Sequence, residues 1–184
     1  MNSGVTVVVP LDYALNADRD NLSPASIQTL SSACAYISKT DKEKVVLVCG
    51  NTNHPQNHMR LEDSVHLRVK MTSSLTDVSC LYTEATNSID EAENIKRRLV
   101  DLHIEVKGIH IFCDRFHARR AKLIWEYFFS ETKIVVHEVD CSWGKNQAQF
   151  IQKFGIVWFF ANWVAFLLMK IRGVDSIRKI KQSS

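Results

Sequence analysis

The sequence predicts a three-layer α/β fold, with a mostly parallel sheet of about five strands and an apolar C-terminal helix. Three observations predict it. Short apolar, β-branched runs recur along the 184 residues, at Val5–Val9, Lys44–Cys49, Asp77–Tyr82, Gly108–Cys113 and Lys133–Val139. All but the third are nearly continuous in apolar residues, as expected of strands covered on both faces. Helical patterns fill the intervals, at 24–39, 59–70, 88–102 and 116–129, so that strands and helices alternate as in βαβ units.

The elements follow from local chemistry. Val5–Val9 is a strand stopped by Pro10. Ser23 before Pro24 reads as an N-cap with proline at the first helical position. "SIDE", Ser88 to Glu91, reads as a capping box, with Ile89, Ala92, Ile95 and Leu99 as one apolar stripe behind it. Asp114 reads as the N-cap of a helix beginning near Arg115, which would put His117 in its first turn.

Composition sets the limits. At 46% hydrophobic content the chain can bury one sizeable core. A net charge of +3 is too small for a general nucleic-acid coat, so no nucleic-acid partner is expected. The five cysteines are scattered, odd in number and never spaced CxxC, which reads as buried free thiols in a reducing compartment and not as a disulfide or zinc framework. The N-terminus lacks the charged start and long apolar core of a secretory signal, so a cytoplasmic domain starting almost at residue 1 is expected.

Ligands of such folds sit beyond the carboxyl ends of the strands. The segments leaving those ends are polar: "PLDYALNADRDN", "GNTNHPQNH", "TEATN" and "DRFHARR". Asp12, Gly50 and Asn51 are rim candidates from the first two. Glu84, Thr86 and Asn87 project from the third, where Glu84 is a base, a partner for an arginine across the rim, or a solvated loop acid. In the fourth, Arg115, Arg119 and Arg120 crowd cations at a helix N-terminus, where the dipole disfavours them. Either a phosphate or carboxylate completes the site, or Asp114 and other acids neutralise the arginines. His117, with a free pKa near neutrality, is the general acid/base candidate.

His54, His58 and His66, with Glu62 and Asp63, read as a polar loop in preference to a metal site, because Pro55 breaks the helical spacing that a metal pair would use. No glycine-rich phosphate cradle and no GxSxG or HExxH motif is present. From Phe154 to Met169 only Asn162 is strongly polar, a stretch short of the roughly 20 residues that span a bilayer. It is apolar all round, with Lys170, Arg172, Arg178, Lys179 and Lys181 after it and Trp158 and Trp163 placed to sit at an interface. A buried or dimer-forming helix is one reading, and membrane contact or a tail anchor is the other. The chain thus divides into a domain over 1–150, an apolar helix over 151–172 and a basic tail over 173–184.

"NLSPASIQTLSSACAYI", "KVVLVCG", "TNSIDEAENI" and "IFCDRFHARRA" come in the order and approximate spacing of the YdcF-like (SanA-related) bacterial domain family, which the chain resembles over roughly 5–139. HxxRA after an apolar strand is the most telling piece. The resemblance implies a Rossmann-like fold with its site at the strand ends. It carries over His117 and Arg120, puts Ser88 in place of the family's threonine with Asn87 before it, makes Glu84 the family's acid, and matches Gly50 to one glycine of the second loop. The glycines expected after the first strand are replaced by "VPLDYAL", and the second loop reads "CGNTNH" where the family has a glycine pair. Side chains there reshape that half of the pocket, so a changed ligand or a lost activity is implied. The family also implies a nucleotide-type ligand such as S-adenosylmethionine, bacterial envelope processes, and an N-terminal anchor that this sequence does not show.

Two expectations result. The first is a domain binding a small anionic or nucleotide-type ligand through His117, Glu84, Arg120, Arg119, Asp114, Asn87, Ser88, Gly50, Asn51 and Asp12, with transfer or hydrolysis as the chemistry. The second is a non-catalytic interaction module with a degenerate pocket, forming a homodimer or touching a membrane through 154–171.

Overall fold

Strand β1 (Val5–Pro10) lies at the centre of a five-stranded sheet, because its side chains are apolar on both sides of the pleat. Val7 and Val9 face one layer of helices and Val8 the other. A computed structural model describes residues 4–13, 15, 16, 18, 21–40, 45–52, 61–75, 78–85, 87–145 and 150–175, with 51, 52, 61–66, 150 and 151 described by backbone alone.

The elements run β1, α1 (Pro24–Ile37), β2 (Val45–Thr52), α2 (Leu61–Thr72), β3 (Ser79–Ala85), α3 (Ser88–Asp101), β4 (Val106–Asp114), α4 (Ala118–Phe128), β5 (Lys133–Val139), a 3-10 turn (Phe150–Lys153) and α5 (Gly155–Arg172). The strand order is β3-β2-β1-β4-β5 and every neighbouring pair is parallel. This is the Rossmann order. The chain steps outward from β1 to β3 and returns to its other side at β4, leaving a crevice beyond the ends of β1 and β4. Right-handed crossovers put α1 and α2 on one face and α3 and α4 on the other. One core joins Val8, Leu30, Ile37 and Leu47 beneath α1, and the other joins Val7, Ile95, Ile109 and Trp125 beneath α3 and α4.

Two helix starts differ from the sequence reading. Ser88 does not cap α3. Asn87 does, its Oδ1 accepting from the N–H groups of Ile89 and Asp90 while its Nδ2 donates to Asp90 Oδ2 at 2.7 Å. Asparagine is as strong a cap as serine, and the shift by one residue leaves Ser88 Oγ without a capping role. The capping box is overturned with it, since Glu91 is buried and 4% exposed. At α4, residues 115–117 form a turn, so that His117 occupies the N-cap position and not the first turn. Asp114 is held one turn earlier, with Oδ2 accepting from Phe116 N–H at 2.9 Å. The Ser23–Pro24 start of α1 is as the sequence predicts, with Ser23 Oγ accepting from Ser26 N–H.

Helix α5 packs against α4 and the 3-10 turn through a single stripe, in which Trp158, Asn162 and Met169 are buried. Gly173, at φ 80, ends it with an N–H to Met169 O bond of 2.9 Å. Among the described residues α5 is the one helix long and apolar enough to cross a membrane, yet only 17% of it is buried, so it is no all-round core helix.

Candidate functional site

The chain leaving β1 keeps its pairing for one more residue, as Leu11 N–H donates to Phe112 O at 2.9 Å. The next two side chains then part. Asp12 turns toward β2 and α2, and Tyr13 toward β4 and α4. Each meets an inward-turned arginine, Arg68 buried and Arg120 half-buried, and the two systems differ in chemistry.

On the β4 side, Tyr13 Oη accepts from Asp114 N–H at 2.8 Å and lies 3.2 Å from His117 Nδ1. Arg120 Nη2 lies 3.0 Å from His117 Nε2 and 3.3 Å from Ser88 Oγ, which itself lies 3.4 Å from Nε2. A guanidinium has only donors, so the Nε2 facing it accepts. The ring proton therefore sits on Nδ1 and is donated to Tyr13 Oη. His117 is 2% exposed, and burial first, then the Arg120 charge, holds its pKa well below the ordinary value. The ring is neutral at physiological pH, and its Nε2 lone pair is turned to the Arg120 guanidinium.

Three arginines enter this turn, and their fates differ. Arg115 pairs with Asp140 at 3.2 Å on the exposed surface. Arg119 is exposed on α4. Arg120 points inward, and among the described residues no carboxylate lies within ion-pairing distance of it. Its Nε is sealed from solvent and meets no hydrogen-bond acceptor. Burial pulls its pKa down to about 10, which still leaves it charged. The Trp158 ring of α5 lies over the guanidinium, 5.9 Å from Cζ to centroid, and edge-on to His117. Tyr13, Trp143 and Trp158 complete an aromatic wall. Asp114, 1% exposed, is not Arg120's counter-ion. Trp143 Nε1–H donates to its Oδ1 at 3.0 Å, and burial raises its pKa against the pull of that bond.

The second system sits on the β2 side. Asp12 Oδ1 accepts from Ser26 Oγ at 2.8 Å and forms an ion pair with Arg68, which is 1% exposed. Burial alone would lower the Arg68 pKa, but Asp12, together with Cys49 and Glu91, offsets it and the net shift is upward. Glu91 from the first turn of α3 joins them. Burial, then Asp12, pushes its carboxyl up to about 8, so it is largely protonated at neutral pH. Gly50 is a glycine for a visible reason, because a Cβ there would collide with the Glu91 carboxyl.

Of the residues predicted from sequence, His117, Arg120 and Ser88 meet in one cluster, with Asp114 tied to it through Tyr13. Asn87 stands at the head of α3 as its cap. Asp12 and Gly50 belong to the second cluster. Glu84 is exposed on edge strand β3, in a groove of about 420 Å³ lined also by Asn94, Arg97 and Asp101, and it makes no described contact with His117. Asn51 pairs in the sheet with Glu84, but its side chain, like that of His66, lies outside the described atoms, and Thr86, His54 and His58 lie outside the described residues. Sequence reading missed Tyr13, Arg68, Glu91, Trp143 and Trp158. Tyr13 stood in the post-β1 loop beside Asp12, and that adjacency was the available signal.

No family model, no curated protein and no solved structure matches the chain, so the site rests on its own geometry.

Proposed function

We propose that the chain binds a small anionic or nucleotide-type ligand at the ends of β1 and β4, with Arg120, Ser88 and the amino-terminal turns of α3 and α4 as its anion contacts. The observation that carries this reading is Arg120: an inward-pointing cation that meets no carboxylate partner among the described residues, set between two helix N-termini. Helix N-termini and a guanidinium both favour a phosphate or carboxylate. The YdcF-like resemblance supports the same site through His117, Arg120 and Ser88, and S-adenosylmethionine is the nucleotide-type candidate that it adds.

Chemistry beyond binding needs His117 Nε2 released from Arg120. An anion drawing the guanidinium toward itself does that, leaving Nε2 facing Ser88 Oγ and raising the ring's basicity. Transfer to, or hydrolysis of, an anionic substrate is the reaction class that fits.

The test is thermal stabilisation of the full chain by inorganic phosphate, nucleotides, S-adenosylmethionine and sugar phosphates. A rise of several degrees is expected for one class, absent in Arg120→Ala and reduced in Ser88→Ala, whose side chain is small enough to remove without unfolding. No rise with any of them would overturn the reading and favour the non-catalytic interaction module.

A further inference from the structure

The buried stripe of α5 leaves the opposite half of the helix uncovered. Ile156, Phe160, Trp163, Val164, Leu168 and Ile171 are between 40% and 78% exposed. At 3.6 residues per turn these positions fall on the side away from Trp158, Asn162 and Met169. A continuous apolar face of this kind on a described surface marks an interaction site.

Charge decides what fits it. From Gly155 to Arg172 there is no acidic residue, and the only charged ones are Lys170 and Arg172 at the C-terminal end. The sequence adds Arg178, Lys179 and Lys181 beyond them. A second copy would bury the apolar face but has no acidic residue on this helix to answer the basic end. An anionic bilayer matches both halves, with acyl chains for the apolar face and headgroup phosphates for the cations.

Orientation follows from packing. Trp158 is held against His117, Tyr13 and Trp143, so the helix lies packed along the domain and turns its outer face to the surroundings. We propose that α5 docks in the plane of an anionic phospholipid bilayer, sinking its outer face to a depth of roughly 5–10 Å with Lys170 and Arg172 at the headgroups. The inference is independent of the ligand reading. If both hold, the same helix carries the lipid-facing surface and the aromatic roof over Arg120.

The test is flotation of the full chain with phosphatidylcholine vesicles and with mixed phosphatidylcholine–phosphatidylglycerol vesicles. The chain is expected to float with the mixed vesicles, less with the neutral ones, and less in high salt. Phe160→Asp with Trp163→Glu, both at exposed positions, is expected to lower partitioning by about tenfold or more, with circular dichroism unchanged. Lys170→Glu with Arg172→Glu is expected to abolish the preference for anionic lipid. Absence of flotation with either vesicle overturns the proposal, as does flotation indifferent to the apolar substitutions. A dimer that Phe160→Asp with Trp163→Glu dissociates would instead assign the face to a second copy.

Discussion

Arg68, buried, and Arg120, half-buried, stand at the strand ends on either side of β1, and they are answered differently. Arg68 has Asp12 against it and Glu91 close by, so its charge is neutralised within the protein. Arg120 has a neutral imidazole, a serine hydroxyl and an indole face, none of which carries negative charge. Burying a charge is tolerated when it is paired and is costly when it is not. The first arrangement carries its own counter-charge, while the second, on the reading proposed above, receives one from a bound anion. The loop after β1 sets the division by sending Asp12 one way and Tyr13 the other.

The sharpest way to break the comparison is to remove each arginine in turn. Arg68→Met leaves Asp12 buried without its cation, and a loss of about 3–5 kcal/mol is expected in urea unfolding. Arg120→Met in the ligand-free protein removes an unbalanced charge while keeping apolar contact with Trp158. Its cost should be far smaller, or its sign reversed. Equal losses at the two positions would show that Arg120 has an internal counter-charge, and the anion reading would fail with it.

The contrast also marks what the sequence could and could not reveal. Strand and helix order was legible because the apolar runs of β1, β2, β4 and β5 and the stripe of α3 are local patterns. His117 and Arg120 were legible together because they lie within one helical turn, while Ser88, which heads the preceding helix and reads from sequence as its cap, joined them only through the YdcF-like resemblance. The pairing of Asp12 with Arg68 was not, since 56 residues separate them and only the fold brings them together (68 − 12). The α3 cap was misread by one residue because Asn87 and Ser88 are both good caps, and only the backbone decides between them. Trp158 was read as an interface residue. Its burial depends on which stripe of an all-apolar helix faces α4, and an all-apolar pattern cannot specify that.

Tyr13 tests the Arg120 side at lower amplitude. Tyr13→Phe removes the acceptor for Asp114 N–H and for His117 Nδ1–H together, and each buried donor left unsatisfied costs about 1–3 kcal/mol. The imidazole also loses what fixes its tautomer. The expected result is a modest fall in stability with a larger proportional loss of ligand-induced stabilisation. A fall in stability alone, with ligand response intact, would make Tyr13 a packing residue only.

The most gradual expected effect is a slope with pH, and it separates the clusters by sign. Glu91 in the folded chain has its pKa raised from 4.5 to about 8, so between those values the native state binds more protons than the unfolded state. Stability therefore falls as pH rises through this range, by at most about 1.4 kcal/mol per pH unit, and levels off above pH 8. His117 works in the opposite sense. Its folded pKa is lowered, so the unfolded state takes up the extra proton, and stability is lost as pH falls below 6.5. Among the described residues His110 and His137 are lowered in the same sense as His117, so between pH 6.5 and 8 the decline should come from Glu91. Glu91→Gln keeps the shape of the protonated acid beside Asp12 and Arg68 and removes its titration. Melting temperatures of the variant are expected to be flat over that window where those of the parent chain decline. A decline that persists in Glu91→Gln would mean that Glu91 is already ionised in the folded protein. Asp12 and Glu91 would then both carry charge against Arg68, and the side of the sheet that looks balanced would itself hold an excess of negative charge.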